Sequence, residues 1–334
     1  MNLKKTVILI LLLLLVLPLY GCGQNRAKTD RFYAMGSLVS QTVYGADDAL
    51  LQSVESDILR AENILSHKIE SSQISLLNKE KTAIFDDDIY DMLKKAAAFC
   101  ADTGGAFDIS LYSLTALWGF DSDHPTVPKA ERIREALNRT GYQNIVFGEH
   151  NTVSLKNNTS LDLGALGKGY ACDIAVKFYR EAGVSGIVNV GGSIGVNSKK
   201  PNGEPFTVGI RDPFSTDPSD VFASIALAAG FVSTSGSYEK RFETDGILYH
   251  HILDAKTGYP VETDLISVTI VCDSGLYSDM LSTACFILGI ENSKPLLEKY
   301  NAQAIFIKKD KSVTVTEGLR AAISFYKDYE VHYI

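Results

Sequence analysis

The stretch Ser160-Leu161-Asp162-Leu163-Gly164-Ala165-Leu166-Gly167-Lys168-Gly169-Tyr170 decides how the chain is organised. It reads as a short strand over 160–163, a turn over 164–169 and a helix over 170–182. A strand over 186–190 follows and runs into Gly191-Gly192-Ser193. Beyond this unit, strands over 207–210, 221–227, 248–253 and 266–271 come in succession. An apolar helix over 274–288 and a hairpin over 304–307 and 312–316 complete the C-terminal half. Upstream, the spacing of Leu51, Val54, Ile58, Leu59, Ile64 and Leu65 predicts a helix over 48–65. Ser71-Ser72-Gln73 opens a short helix ending near Asn78. A helix over 86–102 has an acidic first turn and a Gly104-Gly105 stop, and another is predicted over 129–138. A strand over 32–44 and a hairpin over 144–147 and 152–155 lie among these helices. Without strict βαβ alternation the pattern predicts an α+β fold: a single large domain over 31–334 with mixed, largely antiparallel sheets and flanking helices. No repeat, low-complexity segment or composition shift marks a second domain.

The N-terminus reads differently. Lys4 and Lys5 precede an unbroken apolar run over 7–17, and Leu19-Tyr20-Gly21-Cys22 ends it. The order is that of an export signal over 1–21, too short for the roughly 20 apolar residues of a membrane span. The Leu-x-Gly-Cys ending resembles the bacterial lipobox, which implies a diacylglyceryl group on Cys22. The expectation is a chain lipid-anchored on the extracytoplasmic face of a bacterial membrane, with residues 22–30 as a polar tether.

The formal net charge is −8, with no basic run, and carries no electrostatic footprint for nucleic acid. Cys100, Cys172, Cys272 and Cys285 are widely spaced, without CxxC or Cys/His metal spacing. Each sits in an apolar pattern and reads as a small buried hydrophobe. An exported chain permits one disulfide, and the spacing selects no pairing.

Three glycine-rich turns follow short apolar strands: Gly104-Gly105-Ala106-Phe107-Asp108, Gly164 to Gly169, and Gly191-Gly192-Ser193. Glycine lets backbone approach a ligand closely, and a glycine turn entering a helix makes an anion site. The second turn carries Lys168, a cation suited to phosphate, although it is neither GxxxxGK[ST] nor GxGxxG. Asp279 and Thr283 are four apart and share a helix face. A carboxylate and a hydroxyl with nearby carbonyls form a hard-oxygen set suited to Mg²⁺. Taken singly, each is also an ordinary turn, a helix-terminal Asp or a satisfied Thr. His250 and His251 are adjacent on a strand and point to opposite faces, so one of them is a candidate general base.

In chain order the segments are Met35-Gly36-Ser37; Leu65-Ser66 with Ser75-Leu76-Leu77-Asn78; Thr103-Gly104-Gly105-Ala106-Phe107-Asp108; and Leu117-Trp118-Gly119-Phe120. Asp162 to Tyr170, Asn189-Val190-Gly191-Gly192-Ser193 and Thr234-Ser235-Gly236-Ser237-Tyr238-Glu239 follow. The last are His251-Ile252-Leu253-Asp254 with Thr257-Gly258-Tyr259-Pro260, and Asp279-Met280-Leu281-Ser282-Thr283. Together they resemble the ApbE family, the FAD:protein FMN transferases.

That resemblance implies a T-fold-like domain that splits FAD with Mg²⁺, transfers FMN to a Thr or Ser hydroxyl of a partner protein and releases AMP. It implies Ala165 (through its carbonyl), Asp279 and Thr283 as Mg²⁺ ligands. Met35, His67, Ala106, Phe107, Asp108, Asp162, Lys168 and Ile252 are the implied FAD site, with Lys168 also meeting developing negative charge. His251 is the implied base. The implied partner is a membrane redox-complex subunit with an Asp/Ser/Thr-rich acceptor motif. His67 stands where such transferases often carry Tyr, so FAD hydrolysis to FMN and AMP is an alternative output. A non-catalytic flavin-binding lipoprotein is another. Ser37, Ser237 and Ala255 also depart from the commoner Thr, Asp and Pro.

Overall fold

Met35 and Gly36 both adopt positive φ, 53° and 65°, and fold the first β-rich run back on itself. The result is an antiparallel hairpin of β1 (Ala27–Ala34) and β2 (Ser37–Tyr44), with Ala34 opposite Ser37. Two central residues with φ > 0 match the twist of paired strands. The single strand expected over 32–44 is thus two strands, and Gly36 is the punctuation that separates them. The structure, a computed structural model, describes residues 26–334. The leader over 1–21, Cys22 and residues 23–25 lie outside them. Residues 27–30, read as tether, belong to β1.

Helix α1 (Asp48–Leu65), α2 (Gln73–Glu80), β3 (Thr82–Ile84), α3 (Asp87–Asp102), α4 (Tyr112–Trp118) and α5 (Ala130–Leu137) follow. Then come β4 (Ile145–Phe147), β5 (Thr152–Leu155), α6 (Gly167–Glu181), β6 (Ser185–Val190), β7 (Ser193–Val196), β8 (Phe206–Arg211) and β9 (Val221–Leu227). The chain continues through β10 (Gly230–Gly236), β11 (Arg241–Thr244), β12 (Ile247–His250), β13 (Leu265–Cys272) and α7 (Gly275–Lys299). It ends with β14 (Gln303–Lys308), β15 (Val313–Val315), β16 (Ile323–Phe325) and β17 (Val331–Tyr333). Helix α7 breaks at Gly289, where φ is 74°, so its first arm matches the predicted helix. The stretch 160–163 makes only an isolated bridge, Leu111 to Ser160. Helix α6 starts at Gly167 rather than Tyr170, which puts Lys168 in its first turn.

The main sheet has nine strands in the order β1-β2-β6-β7-β10-β13-β14-β15-β17, and only β15 and β17 pair in parallel. This is the expected α+β architecture. On one face, Val39, Val43, Val188 and Val190 pack on α1 and α6 through Val54, Ile58, Ala175 and Tyr179. On the same strands' neighbours, Val268, Ile270, Ala304 and Phe306 face α7. Ile305 and Ile307 point the other way, under the three-stranded sheet β16-β9-β8. Alternate residues of β14 therefore enter different cores, which is why its centre is apolar throughout. Among the described residues no helix is long and apolar enough to cross a membrane. All four described cysteines are free and buried, in agreement with their reading as small hydrophobes.

Helices α6 and α7 touch at their first turns. A Cβ added to Gly169 would collide with the Gly275 carbonyl oxygen and lie 2.7 Å from Asp279 Cβ; one added to Gly275 would collide with the Gly169 carbonyl. Each helix also caps the other. Asp173 of α6 accepts the N–H groups of Gly275 and Leu276 at 2.8 and 2.7 Å. Asp279 of α7 accepts the N–H of Gly169 at 2.9 Å. Carboxylates satisfy the unpaired amides of a helix start and its positive dipole end. Gly169→Ala should therefore separate the helices and lower the unfolding free energy by about 1–3 kcal/mol, the usual cost of overpacking. Urea unfolding of the variant measures this; an unchanged midpoint and slope would refute the close crossing.

Candidate active site

Asp279 is 3 % exposed, so its carboxylate needs partners in the interior. Oδ2 takes the Gly169 N–H, and Oδ1 accepts Ser193 Oγ at 3.4 Å. Ser193 accepts in turn from Ser233 at 3.1 Å, and Ser233 meets Ser278 at 2.8 Å. A second arm serves Thr283. Ser282 donates to the Asp279 carbonyl at 2.8 Å, and Ser235 meets Ser282 at 2.7 Å and Thr283 at 3.0 Å. Each hydroxyl has one proton. With Ser282 committed to a carbonyl, Ser235 donates to Ser282 and Thr283 donates to Ser235. The Thr283 lone pairs remain for the site. Ser233 and Ser235 share one face of β10, with a spacing of about 6.6 Å. Asp279 and Thr283 share one face of α7, about 6 Å apart, so strand and helix are in register.

The Gly164 to Gly167 turn leads into α6 beside these groups, and it contains Ala165. Met35 Sδ lies 3.9 Å from where a Gly167 Cβ would be. A Cβ on Gly191 would lie 2.5 Å from Ser37 Oγ and 3.3 Å from Lys168 Cδ. The Met35-Gly36 turn, the Gly191-Gly192 turn and the start of α6 thus converge on Lys168. Lys168 has no carboxylate partner within ion-pair distance among the described residues.

On the upstream side of the same turn, His67 Nδ1 lies 3.3 Å from Asp162 Oδ1. Asp162 also accepts from Thr115 Oγ1 at 2.7 Å and the Gly164 N–H at 2.9 Å. Burial alone would raise the Asp162 carboxyl; His67, Thr115 and the amide overcome it and hold it below its ordinary value. The His67 ring leans on Tyr112, with centroids 5.1 Å apart. The segment containing Ala106, Phe107 and Asp108 passes beside this pair, because the Asp162 N–H bonds the Ile109 carbonyl at 2.8 Å. Its side chains do other work. Phe107 is 2 % exposed and packs edge-on against Phe99. Asp108 braces the Ser110 and Tyr142 amides at 2.8 and 3.0 Å.

His250 ends β12 and His251 follows it. His250 Nε2 meets the Val261 carbonyl at 3.2 Å and its ring sits edge-on to Phe286. Burial, then the nearby Lys240, His250 and Lys168 charges, pushes His251 down to about 4. Its Nδ1 is buried without a hydrogen-bond partner. Ile252 is 4 % exposed and is held by its carbonyl on Val261 N–H at 3.0 Å. Lys68 and Lys240 both grip Asp121, at 2.8 and 2.6 Å. Burial acts against the Asp121 charge, but the two ammonium groups hold its carboxyl at about 2. This clasp ties the loop of His67 to Lys240, whose carbonyl accepts the His251 N–H.

Among the described residues no three His, Cys, Asp or Glu side chains cluster as a metal site. A cation bound here would rest on one carboxylate, one hydroxyl and backbone carbonyl oxygen, a hard donor set of low charge. Such a set suits Mg²⁺, which keeps waters and substrate phosphates as its other ligands. The sequence pointed to Asp279 and Thr283 but not to the groups packed around them: Ser193, Ser233, Ser235 and Asp173. The period-two spacing of Ser233 and Ser235 was the available signal.

Known proteins resemble this chain over most of its length. The model of the ApbE family matches residues 35–306. An FAD:protein FMN transferase of Treponema pallidum is 32% identical, with 90% of each chain covered. One from Klebsiella pneumoniae is 30% identical over 90% of this chain and 96% of its own. The ApbE protein of Thermotoga maritima superposes with a TM-score of 0.81 at 31% identity, covering 89% of this chain and 99% of that one. The Pseudomonas stutzeri flavinyl transferase ApbE, in its apo form, gives 0.79 at 29% identity, covering 90% and 97%. The chain belongs to the ApbE family.

Proposed function

We propose that this protein transfers FMN from FAD to a Thr or Ser hydroxyl of a partner protein and releases AMP, in a Mg²⁺-dependent reaction on the extracytoplasmic face of a membrane. The observation that carries the reading is Asp279 seated on the Gly169 amide in the first turn of α6, next in sequence to Lys168, with Thr283 one turn farther along the same face of α7. The names of the relatives support it. Mg²⁺ held by Asp279, Thr283 and the Ala165 carbonyl would neutralise the pyrophosphate and make AMP a better leaving group.

The chain's own residues supply the rest. The α6 N-terminus and Lys168 favour phosphate oxygens and meet the negative charge that develops on them. Phosphoryl transfer asks chiefly for such positioning and charge stabilisation. The acceptor oxygen forms a bond to the FMN phosphorus as the bond to the AMP phosphate breaks. A neutral His251 imidazole takes the hydroxyl proton. Met35, His67, Asp162 and Ile252 line or brace the FAD cleft, and Ala106 to Asp108 support it from behind.

A diacylglyceryl group on Cys22 would hold the enzyme at the surface where membrane redox subunits present acceptors. Strand β1 starts at Ala27, eight residues from the Met35-Gly36 turn. At about 3.3 Å per residue, the site stands roughly 25 Å from the end of the sheet where the tether joins.

Incubation with FAD, Mg²⁺ and a carrier protein bearing an Asp/Ser/Thr-rich tag should add one FMN to the carrier, read by mass spectrometry. Asp279→Asn, which keeps the cap's shape and removes its charge, should abolish the adduct; full labelling by that variant would refute the ligand assignment. The same incubation without acceptor measures the hydrolase output, and rapid AMP release there would favour the pyrophosphatase reading.

The two histidines give a pH signature. Burial lowers both to about 4 from 6.5, so the folded protein binds fewer protons than the unfolded chain in that interval. Their contribution is complete above pH 6.5 and is lost as pH falls toward 4. Asp162 loses its contribution only below its ordinary value of 3.8, outside that window, whereas burial raises Asp108 and Asp173, which oppose the histidines inside it equally in wild type and variant. The unfolding free energy should fall between pH 6.5 and 4, and less steeply in His251→Asn. Equal slopes would show that His251 is not buried and neutral.

Cys22→Ala should move the protein from the membrane to the soluble fraction of cells and leave labelling by the purified enzyme unchanged. Retention in the membrane fraction would contradict the anchor.

A further inference from the structure

Strands β11 and β12 form a separate two-stranded sheet, joined by a turn at Asp245 and Gly246 with φ of 51° and 75°. No third strand pairs with either among the described residues. A hairpin of two strands is marginal by itself, and this one is held at its root. Phe242 and Tyr249 stack on each other, with centroids 5.5 Å apart, and both lean on Trp118. Its far end is open: Ile247 is 54 % and Leu248 48 % exposed.

The register shows which backbone groups face outward. Thr244 pairs with Ile247 across the two-residue turn, Phe242 with Tyr249, and His251 N–H bonds the Lys240 carbonyl at 3.0 Å. These alternate pairs carry the hairpin's own hydrogen bonds. Glu243 and Leu248 form a pair of the other kind, so the Leu248 N–H and C=O point away from β11, along the free edge. Exposed edges are ordinarily blunted by charge or proline. Strand β11 carries Arg241 and Glu243, whereas Ile247-Leu248-Tyr249 of β12 carries no charge. That edge leads straight to the candidate base: His251 follows the last residue of β12.

We propose that the free edge of β12 is the docking surface for the acceptor protein, which adds an extended segment there as a third strand. The proposal rests on the transferase reading and names how that reaction's protein substrate is held. Strand addition supplies main-chain hydrogen bonds that ask little of side chains, as suits a short polar acceptor motif. A segment paired at Leu248 has His251 three residues farther on, about 10 Å along the strand direction. Its hydroxyl is then delivered to the imidazole by register.

The test compares Leu248→Pro with Leu248→Ala, using FAD, Mg²⁺ and a carrier protein with an Asp/Ser/Thr-rich tag. Proline removes only the outward N–H and is tolerated on an edge strand; alanine keeps it. The proline variant should raise the KM for the carrier about tenfold or more, the effect of losing one or two net hydrogen bonds. The alanine variant should change it far less, and the KM for FAD should stay at the wild-type value in both. Equal carrier KM in all three proteins overturns the proposal. So does a matching rise in the KM for FAD, or a wild-type dimer that light scattering shows dissociating in Leu248→Pro. If the proline variant melts early, tags N-methylated at odd or even positions replace it: labelling should fall for one register only, and equal labelling overturns the proposal. No labelling by the wild type at all would refute the transferase reading itself.

Discussion

Two carboxylates hold this molecule's working end together by exchanging helices. Asp173 on α6 caps α7, and Asp279 on α7 accepts an amide in the first turn of α6. The exchange requires the two first turns to touch, which only Gly169 and Gly275 permit. Burial works against the Asp173 charge and outweighs its hydrogen bonds, so its carboxyl lies above the ordinary value. The interior tolerates these acids because each has donors aimed at it.

The consequence is a site in which structure and chemistry share atoms. Asp279 is a cap, the end of a hydroxyl chain and the candidate cation ligand. Directed hydrogen bonds from Ser233 through Ser193 polarise one another and fix its Oδ1. The chain from Thr283 through Ser235 to Ser282 fixes the Thr283 lone pairs in the same way. Register between β10 and α7 sets both at once, so a shift of one element would displace Asp279 and Thr283 together. The Lys68–Asp121–Lys240 clasp does a comparable task for the histidines, because Lys68 follows His67 and the Lys240 carbonyl holds the His251 amide.

Much of this was legible in the residues. Helical spacing located α1, α3 and the first arm of α7, and glycine turns located the loops that meet at Lys168. Asp279 and Thr283 were visible because a four-residue spacing places them on one helix face. The α+β class followed from the lack of strict alternation. Other features were hidden for physical reasons. Strand β10 contains Ser233-Thr234-Ser235-Gly236, residues that favour turns when read locally. It is a strand because β13 pairs with it from Phe231 to Gly236 and β7 with its first three residues, a tertiary fact with no local signal. Phe107 sits in a glycine-rich motif, yet its side chain fills the core against Phe99. The hairpin at Met35-Gly36 was concealed by a strand-like pattern that continues across the turn.

The central claim is that the α6–α7 crossing builds a cation and phosphate site on Asp279, Thr283 and the Ala165 carbonyl. Anomalous diffraction from crystals grown with FAD and Mn²⁺ in place of Mg²⁺ tests it most directly. A manganese peak bonded to those three groups and to the FAD pyrophosphate is the predicted result. A peak elsewhere in the protein, with Asp279 left bonded only to Gly169 and Ser193, would contradict it.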